Sequence, residues 1–297
     1  MFLQILAVIA PVLAIVGLGF LWARLGMPFD NETIGSVVLR IGTPCLIFAT
    51  LTSADIAPAE VGWMALSAAG VIAVSAVVGA AVLRASGLPL HTYLLTAMHG
   101  NSGNLGLPLA AMVFGGEGLA LAIAYFLVVS VSQNTLGLVI SAGQSDLRPL
   151  LRQPVIHASV VTILVLMSGA AVPEWIARTT ELLGSIVIPA MLLLLGVALS
   201  QLKVADLRIA SGMAAMRFVA GAIGAVVIVT TFGLSGPEAG VVWIMAVMPS
   251  AVINVLFAER FARSPERVAG AIVVSTVATL AGLPLIVWSA MWLSGTA

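Results

Sequence analysis

The chain has 297 residues, of which 61% are hydrophobic and only 8% charged, with a mean hydropathy of +1.18 and twelve basic residues balanced by twelve acidic ones. Soluble domains carry roughly a quarter charged residues, so this composition excludes a soluble enzyme or binding module, and zero net charge offers no footing for nucleic acid. Cys45 is the single cysteine, which excludes an intramolecular disulfide or a cysteine-built zinc cluster.

The apolar runs lack the strict alternation of barrel strands, so the expected class is an all-α integral membrane protein. Met1 to Phe20 has no basic leader and is long enough to span, so it reads as a permanent helix rather than a cleaved signal. A span needs about 20 apolar residues, and on that measure ten segments qualify. Spans 1 to 5 are expected at 3–23, 32–52 (with Pro44), 60–84, 90–113 and 118–141. A polar linker over 142–153 carries Asp146, Arg148 and Arg152. Spans 6 to 10 follow at 154–171, 175–200 (with Pro189), 207–232, 237–260 and 267–293.

Lysine and arginine placement sets orientation. With the N-terminus outside, nine basic residues fall in inside loops (Arg24, Arg84, Arg148, Arg152, Lys203, Arg208, Arg260, Arg263 and Arg267) and only Arg178 outside. Both termini are therefore expected to be extracytoplasmic, in a multi-pass protein of the inner (plasma) membrane. Arg40 and Arg217 fall within or near spans. Trp22, Trp63, Trp175, Trp288 and Trp292 lie near span ends, as interfacial anchors do.

Span 4 contains MHGNSGNLGLPLA, Met98 to Ala110, with three glycines, two asparagines, a serine, a histidine and a proline. Unsatisfied backbone groups in lipid cost several kcal/mol, so irregular backbone at that depth must face protein or a water-filled cavity. Span 9 is interrupted at the matching place by Pro249 to Asn254, in MPSAVINVLFAERF. Pro89 precedes Asn101 by twelve residues and Pro237 precedes Pro249 by the same twelve, while IGTPCLIFATL of span 2 matches IVIPAMLLLLGVAL of span 7. Two five-span units, 1–141 and 154–297, are implied; because five is odd, the second is inverted. Paired broken helices in such halves are a pointer to a transporter's binding site.

Gly100, Gly103 and Gly106 let the chain unwind, and Pro108 suits the first turn of the helix that restarts. Half-helix N-termini favour anions and freed carbonyls favour cations. Asn101, Ser102 and Asn104 supply donors and acceptors on one side, and Pro249, Ser250 and Asn254 on the other. The stretch holds no carboxylate, which disfavours a divalent-cation cage, and no metal or cofactor site is expected. A substrate bearing a carboxylate, or another polar organic molecule, suits this chemistry. His99 has two open readings, a proton carrier or a neutral partner of a neighbouring helix. Arg217 either balances substrate charge or snorkels, and Arg40 either lies at the cytoplasmic mouth or packs span 2. Asp55 and Glu60 are expected at the outer surface, and the facing of Gln133 and Asn134 is open. Met98, Met245 and Met248 read as packing residues.

GNSGNLGLPLA resembles the fourth-helix crossover of the auxin efflux carrier family, whose plant PIN members have Pro-Asn-Thr followed by Gly-Ile-Pro-Leu. Asn101 falls on the family's crossover Asn, Ser102 on its Thr, and Gly106 to Leu109 on the later run, while Gly100 stands where PIN proteins have Pro. PSAVINVLFAERF resembles the ninth-helix crossover and TPCLIFATL the second-helix proline motif; the long central loop of many plant members is lacking. The resemblance implies a scaffold of spans 1, 2, 6 and 7, a transport domain of spans 3–5 and 8–10, an elevator-like movement between them, and a homodimer. The expected function is then a secondary, proton- or potential-driven transporter of a small organic anion such as a carboxylate or an auxin-like acid. The alternative is a sodium-coupled symporter of the bile acid type or a sodium–proton antiporter, against which the lack of an acidic pair at the crossover counts. An intramembrane enzyme is disfavoured, with no GxSxG, no HExxH, no phosphate-binding glycine loop and no intramembrane aspartate pair.

Overall fold

The computed structural model describes residues 2–54, 56–142 and 153–296. Its elements are α1 (Phe2–Arg24), α2 (Asn31–Ser53), α3 (Pro58–Ala85), α4 (Leu90–Met98), α5 (Leu107–Ala142), α6 (Pro154–Ser168), α7 (Glu174–Gln201), α8 (Leu207–Phe232), α9 (Gly236–Ala246), α10 (Ile253–Arg260) and α11 (Pro265–Leu293). Among the described residues the only β-type pairing is a single bridge, so the fold is all-helical.

Among the described residues, seven helical stretches are long and apolar enough to cross a membrane: α1, α2, α3, Ser102–Ser141, α7, α8 and α11. The ten expected segments are reduced for local reasons. Segments 4 and 9 break into pieces too short to qualify, segments 4 and 5 run together, and α6 stops after 15 residues. Gly169, at φ 63°, ends α6 in the left-handed conformation favoured by glycine, three residues earlier than the apolar run suggests. Asp55 and the linker residues Asp146, Arg148 and Arg152 lie outside the described residues.

The helix ends follow ordinary capping chemistry. Asp206 accepts from the N–H groups of Arg208 and Ile209 at 3.1 Å and opens α8, and Gly233 closes it in the left-handed region. Glu60 accepts from the Ala57 N–H at the start of α3. In α2, Pro44 has no N–H to give the Arg40 carbonyl, and the preceding residues Val38–Gly42 widen into a π-helical turn. That turn carries Arg40. The two halves of α7 meet at Ile186, whose backbone stays in the right-handed helical region.

At Gly115 (φ 65°, ψ −149°) α5 leaves the helical region. A straight helix would carry Phe126 about 28 Å from Leu107. Instead, the Phe126 ring lies 3.1 Å from where a Cβ on Gly103 would stand, so the chain folds back at Gly115.

Packing uses small residues, as expected where lipid supplies no hydrophobic drive between helices. α1 crosses α7 with Gly19 on the Leu193 backbone and Gly196 on the Val16 backbone; a Cβ at either would come within 2.2 Å of a carbonyl oxygen. α3 and α8 meet through Gly70 and Ile228, and through Gly224 and Val71. α1 packs chiefly on α7, and α2 on α6 and the first half of α7. α8 packs chiefly on α3 and α11, and α9 on α5 and α11.

Candidate functional site

Between α4 and the next helical turn, and again between α9 and α10, the chain is extended, and the two extended pieces cross. Gly100 and Ser250 face each other in an antiparallel bridge. The Asn101 N–H donates to the Pro249 carbonyl at 2.6 Å, and the Ala251 N–H to the His99 carbonyl at 3.0 Å. Each broken helix thus satisfies the other's freed backbone, which is how irregular main chain survives at membrane depth. The local two-fold of this bridge relates Asn101 to Ala251 and Asn104 to Asn254. The match of Asn101 with Pro249 expected from the Pro89 and Pro237 spacing is therefore two residues out of register.

After the crossing, Ser102–Gly106 forms a π-helical turn whose last two N–H groups, of Leu105 and Gly106, both point at the Asn101 carbonyl. The Asn101 side chain caps this turn: its Oδ1 accepts from the Asn104 N–H at 3.3 Å. That bond orients the amide and turns Nδ2 away from the cap. Asn101 is 95% buried in effect, with 5% relative exposure, and Nδ2 has no partner. An unpaired buried donor costs roughly 1–3 kcal/mol; Nδ2 has essentially no accessible surface, while Asn101 as a residue lines a cavity of about 470 Å³.

That cavity is lined by Asn101, Ser102 and Asn104 on one side, Phe126 and Gln133 from α5 on another, and Arg40 from the π turn of α2. Its volume falls in the range of small-molecule sites. Arg40 is exposed and is the only charged side chain in the described lining. Phe126, Ser130, Gln133 and Asn134 are all in the lining, at helical spacing on one face of α5. Asn134 donates to the Ser130 carbonyl at 2.8 Å and to Gln153 Oε1 at 3.3 Å.

The other expected site residues build the crossing without lining the cavity. Gly106 packs against Met245, Pro108 lies in the first turn of α5, and Pro249 supplies a bridge carbonyl. Ser250 takes its N–H to Ser275 Oγ at 3.2 Å, and its Oγ accepts from Asn254 Nδ2 at 3.1 Å. Asn254 also donates to the Leu95 carbonyl at 3.3 Å. His99 is fully buried, with Nε2 2.9 Å from Ser132 Oγ and Nδ1 unpaired. Arg217, 1% exposed, does not snorkel: Nε donates to the Met248 carbonyl at 3.0 Å, and its two terminal nitrogens to the Ala97 and Ala246 carbonyls.

Phe126, Ser130, Ser132, Gln153 and Ser275 escaped the sequence reading. The polar stripe on α5 was a usable signal for Ser130; the others carry none until the helices are packed. A second, larger cleft of about 1160 Å³ lies between α2, α5, α6 and α7, with Glu117 and Glu181 among its lining, and touches no crossover residue.

A family model described as "Membrane transport protein" matches residues 4–146 and 138–289. The chain belongs to that family, the auxin efflux carriers. This membrane transport protein is 30% identical to an uncharacterized transporter of Methanothermobacter thermautotrophicus over 298 residues, covering 94% of this chain and 95% of the relative. It is 26% identical to an uncharacterized transporter of Methanocaldococcus jannaschii over 206 residues, covering 66% of this chain and 67% of that relative. It is a multi-pass membrane protein of a transporter family, and no catalytic family is indicated.

Proposed function

We propose that this protein is a secondary transporter of a small organic anion, a carboxylate or auxin-like acid, bound at the crossover and moved by an elevator-type alternating-access cycle. The observation that carries this reading is the 470 Å³ cavity at the crossing, lined by the amide side chains of Asn101, Asn104 and Gln133, with Arg40 as its one described charge. Amide-bearing residues and a cation lining one small cavity suit a carboxylate better than a cation. Phe126, Met191 and Leu256 supply apolar wall for the rest of the molecule.

The proposed topology is ten crossings in two inverted five-span repeats, with both termini outside and the protein in the inner membrane. In it, α4 with the start of α5, and α9 with α10, are the broken fourth and ninth spans. The preference of α1 for α7 and of α2 for α6 and α7, against that of α8 for α3 and α11, supports a scaffold and a transport unit. A homodimer through the scaffold completes the proposal. Gln153 and Pro154, where the linker rejoins the helices, border the cavity, which favours an inward-facing state.

The test is a thermal-unfolding screen of the purified protein against organic acids, with and without sodium. A ligand held only by the folded form at a hundred times its Kd adds about 2.7 kcal/mol. A carboxylate that raises the midpoint should then be taken up saturably by proteoliposomes. If carboxylates as a class leave both readouts unmoved while neutral or cationic solutes shift them, the anion reading fails.

A further inference from the structure

Two half-helices end at the crossing: α4 at Met98 and α9 at Ala246. Each helix C-terminus carries roughly half a negative charge on carbonyls that have no intrahelical partner. Two such ends brought together make a point of nearly unit negative potential, built from main-chain oxygens and sealed from water. In transporters with broken helices this is where a coupling cation is coordinated. Here the point is already filled. The guanidinium of Arg217, projecting from the middle of α8, donates to Ala97 of one end and to Ala246 and Met248 of the other. Space has been left for it: a Cβ on Gly100 would stand 2.9 Å from its terminal nitrogen, and one on Gly221, a turn further along α8, would stand 2.1 Å from the Ala246 oxygen. No carboxylate among the described residues pairs with Arg217.

We propose that Arg217 is the crossover's resident cation, holding the two broken helices together and removing any need for a sodium ion at their junction. Arg217 is a positioning residue in this account. Each of its three nitrogens donates to a backbone carbonyl, its charge is balanced by the helix ends, and the net charge available to a substrate is left to Arg40. The inference stands on the crossing alone and holds whatever molecule is carried.

The experiment compares thermal unfolding of the full chain in sodium chloride and in choline chloride at equal ionic strength, for wild type, Arg217→Lys and Arg217→Ala. Wild type should unfold at the same temperature in both salts. Arg217→Ala leaves three buried carbonyls without donors, and its midpoint should fall on the order of 10 °C. Millimolar guanidinium should restore most of that fall, urea, the neutral molecule of the same shape, should not, and sodium should stabilise the variant over choline. Arg217→Lys, with one ammonium for three carbonyls, should fall part of the way. A higher midpoint for wild type in sodium than in choline overturns the proposal, and that comparison needs no variant to fold. An Arg217→Ala protein as stable as wild type, or one that guanidinium and urea affect alike, overturns it too. Loss of anion binding in Asn101 variants would bear on the proposed substrate and leave this result untouched.

Discussion

Asn101 has two duties that a pair of substitutions can separate. Its oxygen caps the Ser102–Gly106 turn through the Asn104 N–H, and its nitrogen is left unpaired in a residue that lines the cavity, available in the proposed site to a bound carboxylate. Alanine removes both. Loss of a side-chain cap costs about 0.5–2 kcal/mol of stability. Loss of a hydrogen bond to a charged partner costs about 1.5–3 kcal/mol of binding, which corresponds to roughly a 10- to 150-fold weaker Kd. Serine is as good a capping residue as asparagine, but its single hydroxyl is too short to cap the turn and reach the cavity as well. Asn101→Ser should therefore unfold within a degree or two of wild type while losing affinity nearly as far as Asn101→Ala. The assay is a thermal-shift titration with the carboxylate that the screen identifies, followed by uptake into proteoliposomes over a range of its concentration. The reasoning is refuted if Asn101→Ser binds within about twofold of wild type, since a donor worth 1.5 kcal/mol cannot be lost so cheaply.

Arg40→Gln should weaken binding of the same anion several-fold with little change in stability, because Arg40 is exposed and its charge rather than its packing faces the cavity; an equal effect on a neutral solute would contradict that role. His99 is fully buried on Ser132 and does not line the cavity, so His99→Gln should keep the response of transport to an imposed pH gradient. Abolition of that response would assign it the proton-carrying role instead. Gly196→Val forces a side chain into the Val16 backbone and should lower stability by about 1–3 kcal/mol or more, whereas Gly17→Ala, with open space around it, should be silent; measured unfolding midpoints compare the two directly. In a Cys45→Ser background, a Thr296→Cys protein should react with an impermeant maleimide from outside the cell and a Lys203→Cys protein should not, both positions being exposed; the reverse pattern inverts the proposed orientation.

Much of the helix plan was legible because it depends on local runs of residues. α8 begins and ends at the expected 207–232, and α1, α3 and α11 match their apolar stretches within two residues. Segment 6 came out short because an apolar run cannot announce that Gly169 will adopt φ 63°. At the site, Asn101, Ser102 and Asn104 were legible because glycine, proline and asparagine are costly in a membrane helix and stand out against it. Ser130 and Gln133 were harder: a polar residue on a helix declares a face, not what that face meets.

Arg217 marks the division most clearly. From sequence alone, an arginine eleven residues into an apolar helix is a charge that must be compensated, and composition offered a substrate anion or the membrane surface as partners. Which partner it takes depends on where α4 and α9 end in space, and those ends lie more than a hundred and nearly thirty residues from it along the chain. The membrane class, most helix ends and the two places where helices break were legible in the residues, since each rests on hydrophobicity, capping or backbone stiffness within a few positions. Packing alone set the register of Gly100 with Ser250 at the crossing, gave Arg217 to both helix ends, and left one asparagine nitrogen unpaired beside a cavity-lining turn. Those are contacts between segments distant in sequence, and hydrogen-bond geometry between them exists only once the helices are packed.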